Sequence, residues 1–321
     1  MTPVPNRRSV TSSKDIDQWL ASWRREIDAI LPALLPAADT GAGRGMAGRV
    51  HEAMAYALLS PGKRIRPTLT LAVGEMYRAD TRRLMPAACA VEMVHTASLI
   101  LDDLPCMDDS SLRRGRPACH VVFGEATAIL AAVGLLNHAY AVLAGEVGNA
   151  RVKQTTRDRL RAVVARRLAS AIGPNGVIGG QHADLEITRD PERRAAIDLP
   201  TMEFIHSHKT GSLFIASAEV GAWLSGALAE EVDALTAYAK NFGLAFQITD
   251  DLVDATGTEQ SAGKPVRADA GKATFVTLCG EEGARTLAAE LVETALTALQ
   301  PFGRRAARLR DLVLHVAVRD R

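Results

Sequence analysis

Four carboxylates and two guanidiniums fall within the thirteen residues 102–114. Asp102 and Asp103 come first, Asp108 and Asp109 next, and Arg113 and Arg114 last. Carboxylates this dense repel one another unless a hard cation lies among them. A site of few carboxylates with open positions suits magnesium carrying substrate phosphates. The arginines suit phosphate oxygens, which a guanidinium grips through two parallel hydrogen bonds. A second acidic set, Asp250, Asp251 and Asp254, lies far downstream, with Asp250 and Asp254 one helical turn apart on a shared face. Either run alone reads as a solvated acidic surface; two such runs can hold metal between them.

Basic and polar groups complete the set. The loop SPGKRIRP puts Lys63, Arg64 and Arg66 within four residues beside Gly62, either a phosphate grip or an exposed basic turn. His95 lies seven residues before Asp102, two helical turns away on nearly the same face, where a satisfied core histidine and a ligand contact are both open. Gly179 and Gly180 permit close backbone approach, and behind them Gln181 and Asp184 sit three apart, as a structural cap or part of a site. Lys209, Thr210 and Gly211 interrupt a helical stretch, and a glycine there invites a neighbouring element or a ligand to approach. Phe246 and Gln247 precede the second acidic set, and Lys264, Arg267 and Lys272 follow it. The signs divide the labour: one diphosphate bridged through divalent metal to both carboxylate sets, a second gripped without metal by Lys63, Arg66 and Arg114. No serine or cysteine nucleophile with a base, Walker-type loop or GxGxxG is recognisable, so the chemistry rests on electrostatics around diphosphates in apolar surroundings.

These groups need a scaffold, and the composition points to helices. Of 321 residues, 47% are hydrophobic and only 4% aromatic, with much Ala and Leu, which favours an all-α protein packed through aliphatic side chains. The length allows two average domains or one large helical core; we expect residues 1–15, rich in Pro, Ser and Arg, to be disordered and 16–321 to form a single helical domain. Three-and-four spacing predicts a first helix over 16–35. Further helices are predicted over about 46–59, 67–77 and 82–103, the last stopped by Pro105. Residues 126–143, almost uncharged, read as a helix buried all round, too short and too polar at Asn137 and His138 to span a membrane. Helices over 151–172, 201–224, 227–254, 281–299 and 304–318 follow, with ITRDPERRAAIDLP as a polar loop.

A net charge of +1 argues against nucleic acid or an anionic membrane surface as partner. Cys89, Cys106, Cys119 and Cys279 show no CxxC or zinc spacing and read as thiols in a reducing compartment. The N-terminal stretch has no apolar signal core and no run of eighteen apolar residues marks a span, so the expectation is a cytoplasmic protein without a transmembrane segment.

Taken together, the motifs resemble those of the trans-isoprenyl diphosphate synthases, the polyprenyl synthetases, and within them the bacterial carotenoid-type geranylgeranyl diphosphate synthases. GKRIRP, DDLPCMDDSSLRRGRP, GGQHADL, HKTGSLF, FQITDDLVD and DAGKAT match the family's blocks in order, and the resemblance runs from about Ala47 to the C-terminal helices. It implies an isoprenoid synthase-type bundle of about ten or more helices around a central cavity. It implies Mg2+, three ions per active site with Mn2+ as a substitute, held by Asp102, Asp103 and Asp108 on one side and Asp250 on the other, with Asp251 and Asp254 in support. Arg113, Lys209 and Lys264 would also hold the allylic diphosphate, and Lys63, Arg66, His95 and Arg114 would hold isopentenyl diphosphate. Thr210 and Gln247 would offer oxygen dipoles to the allylic cation. The departing diphosphate would remove the final proton, and two chains would pack as a homodimer.

The resemblance also places the floor of the product tail pocket at the fourth and fifth residues before the first aspartate, here Ser98 and Ala97. Ala97 lies about 7.5 Å down the helix from Asp102 at 1.5 Å per residue, so an aromatic there would stop growth near C15. The helical wheel sets Ser98 nearer the Asp102 face, so the weight on Ala97 comes from the resemblance. Both residues are small, which permits a longer tail or merely lets helices pack closely; together with the resemblance, which implies a prenyltransferase, the expectation is a C20 geranylgeranyl product. The alternatives are a farnesyl or other-length synthase, a class I terpene cyclase, or a non-catalytic subunit. A cyclase would replace DDLVD by an Asn/Ser/Glu motif and lack GKRIRP, and a non-catalytic subunit would be expected to have lost aspartates.

Overall fold

The computed structural model describes residues 13–36, 48–145, 153–256 and 273–318. Lys264, Arg267, Lys272 and residues 1–12 lie outside them. Helix α1 (Ser13–Leu34) turns Ile16, Trp23, Ile27 and Leu31 inward at the spacing read from sequence. It is followed by α2 (Gly48–Leu58), α3 (Ile65–Met76) and α4 (Thr81–Asp102). The Asp80 side chain accepts from the Arg82 amide and starts α4, and Pro105 lies just beyond its end.

A two-stranded antiparallel hairpin, β1 (Leu112–Arg113) with β2 (Arg116–Pro117), was not expected. Its turn carries Arg114 and Gly115 at positive φ. Then come α5 (Cys119–Phe123), α6 (Glu125–Ala144), α7 (Gln154–Ile172) and α8 (Val177–Arg189). The stretch expected to be a polar loop contains α9 (Pro191–Ala195), which the Asp190 side chain caps at the Glu192 and Arg193 amides, with Pro191 at the first position. Next are α10 (Leu199–His206), a π-helical turn over Ser207–Gly211, α11 (Ser212–Ser225) and α12 (Ala229–Thr256). The chain closes with α13 (Phe275–Ala298), broken at Gly280, a 3-10 turn over Gln300–Ala306 and α14 (Ala307–Val318).

Two aliphatic cores meet along α11. One is built from α1, α2, α4, α6 and α7 with Leu213, Ala216 and Val220 of α11; the other joins α3, α12, α13 and α14 around Phe214, Tyr238 and Phe242. At the seam α3 and α11 cross with backbones nearly touching. A Cβ on Gly221 would lie 2.5 Å from the Thr70 carbonyl, and the Thr70 hydroxyl donates to the Ser217 carbonyl at 2.9 Å. Any larger residue at 221 would push the helices apart.

Helix α6 corrects the expectation of all-round burial. By length and composition both α4 and α6 suffice to cross a membrane, yet 72% of the apolar window of α4 is buried and only 33% of that of α6. Ala128, Ala131, Leu135 and Ala139 face the core while Ile129 and Leu130 are exposed, with Val121 and Val122 of α5 also exposed. An apolar sequence reports that a helix is buried somewhere; it does not report that its own chain does all the burying.

Candidate active site

A cavity of about 1280 Å³ runs through the bundle, lined mainly from α3, α4, α6, α8, α11 and α12. Lys63, Arg66, His95, Arg114, Asp102, Asp250, Asp254, Lys209, Thr210, Gln247, Arg113, Ala97 and Ser98 all border it. The structure thus brings to one space groups that are separated by up to 191 residues in the chain.

One end is basic. Arg64 sits in the left-handed region at φ 51° before α3 and turns inward, where it is 2% exposed. Its guanidinium donates to Asp28 (2.8 Å), Glu92 (2.7 Å) and the carbonyls of Leu58 (3.0 Å) and Ser60 (2.9 Å). Of the three cations in this loop, Arg64 is therefore structural, and its flanking neighbours Lys63 and Arg66 reach the cavity. Arg66 donates to His95 Nε2 at 3.2 Å and lies 4.7 Å over the ring of Phe214. Burial pulls the Arg66 pKa down to about 10, so it stays charged at neutral pH. Burial, together with the nearby guanidiniums of Arg66 and Arg114, holds His95 well below the ordinary histidine value, which makes it a neutral imidazole whose Nε2 accepts. Arg114 donates to the Ser60 carbonyl at 3.3 Å and approaches Glu92 at 3.8 Å.

Opposite lies the acidic rim. Asp102, at the end of α4, faces Lys209 at 3.6 Å, and Lys209 also pairs with Asp184 of α8 at 2.7 Å. Lys209 stands on the π-helical turn, whose extra residue interrupts the regular ladder, as such turns often do at functional sites. The close approach there is made by Gly180 instead of Gly211: a Cβ on Gly180 would lie 2.2 Å from the Lys209 amide nitrogen, whereas one on Gly211 would meet nothing nearer than 3.6 Å. Burial raises the Asp102 pKa despite the lysine, so this carboxylate is short of positive charge. Asp250, on α12, pairs with Lys63 at 3.2 Å, and both side chains are about half exposed. Asp254, one turn on, also borders the cavity.

Asp103 and Asp251 are taken up by other partners, while Asp108 lies close enough to act on the charges of Asp102 and Lys209. Asp103 is 2% exposed and is held by both Nε and Nη2 of Arg113, so Arg113 borders the cavity while Asp103 sits behind it. Asp108 lies in a loop folded back under α4, where its amide donates to the Asp102 carbonyl at 2.9 Å and Arg189 of α8 holds the Cys106 carbonyl. Asp251 takes the Phe275 amide at 3.2 Å and the Gln247 amide group at 2.9 Å. The Thr210 hydroxyl donates to Gln247 Oε1 at 3.1 Å, which links Thr210, Gln247 and Asp251 in a chain. Among the described residues no three His, Cys, Asp or Glu side chains converge on one point.

Away from the charges the cavity turns apolar, bordered by Ala97 and Leu101 of α4, Ala132, Val133 and Leu136 of α6, and Ile172, Val177 and Ile178 at the α7–α8 junction. The Ser98 hydroxyl donates back to the His95 carbonyl at 2.8 Å, which leaves its small CH2 toward the space. The polyprenyl synthetase family model matches residues 48–298 of the chain.

The chain belongs to the polyprenyl synthetase family. It is a prenyltransferase. A chloroplastic geranylgeranyl pyrophosphate synthase of Capsicum annuum is 42% identical over 274 residues, 84% of this chain and 72% of the relative. A farnesyl diphosphate synthase of Geobacillus stearothermophilus is also 42% identical, over 85% of this chain and 89% of its own. A geranyltransferase of Helicobacter pylori, solved with magnesium and isoprenyl diphosphate, superposes with a TM-score of 0.77 at 28% identity, covering 96% of this chain and 98% of that one.

For this polyprenyl synthetase the sequence reading missed Glu92 and left Asp184 open between a cap and a site. Glu92 had a visible signal: it is the one charged residue in the otherwise uncharged stretch from Met85 to Leu101, apart from His95, and it lies three residues before that histidine. Asp184 proves to be the partner that holds Lys209.

Proposed function

We propose that this prenyl diphosphate synthase condenses isopentenyl diphosphate with allylic diphosphates of five, ten and fifteen carbons and releases the C20 product, geranylgeranyl diphosphate. The observation that carries the reading is the form of the cavity. Acidic and basic side chains line one cavity together with apolar ones, and Ala97 and Ser98 are among its lining residues, which supports reading them as the floor of the tail pocket. Among the described residues the one Phe, Tyr or Trp side chain that lines it is Phe246, beside Lys63, which supports a tail longer than an aromatic floor would allow.

The donor set fits magnesium. Asp102, Asp250 and Asp254 offer hard oxygen ligands from two helices that line the same cavity, and a metal with so few protein ligands takes its remaining oxygens from water and phosphate. Asp103, Asp108 and Asp251 complete the set by family likeness, with three Mg2+ ions, replaceable by Mn2+. When bound, magnesium supplies the positive charge that offsets the charge building on the departing diphosphate. Lys209, Arg113 and Lys264 hold the same diphosphate from the protein side. Lys63, Arg66, His95 and Arg114 hold isopentenyl diphosphate with its double bond toward the allylic carbon. The allylic C–O bond breaks, a C–C bond forms, and the proton lost from the condensed product passes to the released diphosphate. Thr210 and Gln247 present oxygen dipoles to the cationic centre, preorganised by their mutual hydrogen bond.

The outward apolar face of α5 and α6, with Val121, Val122, Ile129 and Leu130, supports a homodimer in which a second copy covers it. Light scattering on the purified chain is expected to give twice the 34.3 kDa monomer mass. The four cysteines are all free thiols, which fits a reducing, cytoplasmic setting.

Chromatography of products from isopentenyl diphosphate and each of the three primers tests the product length. A C20 end point is expected with all three, and a C15 or longer-chain end point would replace the reading by that of a farnesyl or other-length synthase. The substitution Ala97→Tyr should shorten the main product to C15, because an aromatic ring there fills the well about 7.5 Å below Asp102. An unchanged distribution would remove the floor from Ala97.

A further inference from the structure

The basic wall of the cavity comes from two separate pieces of chain. The loop before α3 supplies Lys63 and Arg66, and the hairpin turn supplies Arg114. Three guanidiniums, those of Arg64, Arg66 and Arg114, crowd together here, partly desolvated and mutually repelling. One buried carboxylate faces all three. Glu92, on α4 and 1% exposed, accepts from Arg64 Nη1 at 2.7 Å, lies 3.8 Å from Arg114 Nη2, and is the leading source of attraction acting on the charge of Arg66. Asp28 pairs directly with Arg64, from a side chain that is 44% exposed, and acts on Arg114 more weakly than Glu92 does.

We propose that Glu92 is the positioning residue of the basic wall, a single buried carboxylate that ties the Arg64 loop to the Arg114 turn so that cations from both converge on one diphosphate. The tie acts at two levels. Through Arg64 it fixes the left-handed turn at residue 64, from which Lys63 and Arg66 project into the cavity. Through Arg114 it sets how far that guanidinium can move into the space, while the Ser60 carbonyl holds its other nitrogen at 3.3 Å. Gly62 completes the junction, since a Cβ there would lie 2.8 Å from Arg114 Nη1. Glu92 lies on the face of α4 that also carries His95 and Asp102, so the helix that ends in the acidic rim also anchors the basic wall.

The proposal rests on the reading that Lys63, Arg66, His95 and Arg114 hold isopentenyl diphosphate. Glu92→Gln keeps the size of the side chain and a hydrogen-bond acceptor for Arg64 but removes the charge. Its KM for isopentenyl diphosphate should rise about tenfold, while kcat and the KM for farnesyl diphosphate stay within about twofold, the pattern of lost binding that is equal in ground and transition states. An unchanged or lowered KM for isopentenyl diphosphate would overturn the proposal, as would a parallel loss in kcat and both KM values. Glu92→Asp keeps the charge and withdraws it by one methylene; it should give a smaller rise in the same KM alone, and it decides the matter if the glutamine variant does not fold. Arg66→Gln separates the two levels. If it raises the KM for isopentenyl diphosphate and the Glu92 variants do not, Glu92 has no positioning role; if it too leaves that KM unchanged, the assignment of the basic wall itself fails.

Discussion

The two charged walls of the cavity are built by opposite means. The acidic rim presents Asp102 and Asp250, each faced by a lysine from another element, at 3.6 and 3.2 Å. The Lys63–Asp250 pair is about half exposed, so water and salt weaken it and it can part at small cost. The basic wall is organised around Arg64, whose five-donor fork is spent on two carboxylates and two backbone carbonyls in the protein interior. Breaking that arrangement would leave a buried charge without its partner. The difference supports the proposed division of ligands, in which the rim would take a diphosphate with metal and the wall a diphosphate without it.

Substitutions on the two sides should therefore fail differently. The largest effect is expected from the rim: Asp102→Ala or Asp250→Ala should lower kcat by about a thousandfold or more, as for loss of groups that stabilise charge developing in the transition state. Circular dichroism should show the fold retained, and substantial remaining turnover would remove these residues from the metal site. An intermediate effect is expected from the wall. Arg66→Gln should raise the KM for isopentenyl diphosphate by about ten- to a hundredfold with a smaller change in kcat, because one charge-assisted contact to phosphate is lost. A kcat effect as large as that at Asp250 would erase the contrast between the walls.

The smallest effect concerns stability and belongs to His95. Its folded pKa lies well below the value of 6.5 that the unfolded chain has, so as pH falls the unfolded chain takes up the proton first. The contribution of His95 to stability is therefore present in full above about pH 6.5 and declines as pH falls from there toward the folded pKa. Melting temperatures measured between about pH 7.5 and 5.5 should fall less steeply for His95→Gln than for the unaltered chain. Parallel slopes would show that His95 is not held neutral.

The motifs were legible because charge spacing survives in one dimension. Asp102 and Asp250 could be paired as the two sides of a site from their types and helical positions alone, and the helix carrying His95, Ala97 and Ser98 into Asp102 appears within a residue or so of its expected bounds. Neighbours with the same charge could not be told apart. Asp102 faces the cavity and Asp103 turns to Arg113, because adjacent residues at a helix end point in different directions. Arg113 and Arg114 part in the same way, one on a strand and one at a positive-φ turn. The sequence marks both Gly180 and Gly211 as points of close approach; the Lys209 backbone touches Gly180, on another helix, while Gly211 has nothing nearer than 3.6 Å.

By itself the sequence determined the helical class, the order of the motifs, the oxygen and guanidinium chemistry and the small residues at the expected floor, since each depends on residue type and local spacing. Only the tertiary structure decided which cation of the GKRIRP loop turns inward, which carboxylate anchors it, and that one face of α6 is left uncovered by its own chain. Those outcomes depend on what lies across the gap from a side chain, and that neighbour comes from a distant part of the chain: Glu92 stands 28 residues from Arg64 and 22 from Arg114, and Asp250 stands 187 from Lys63.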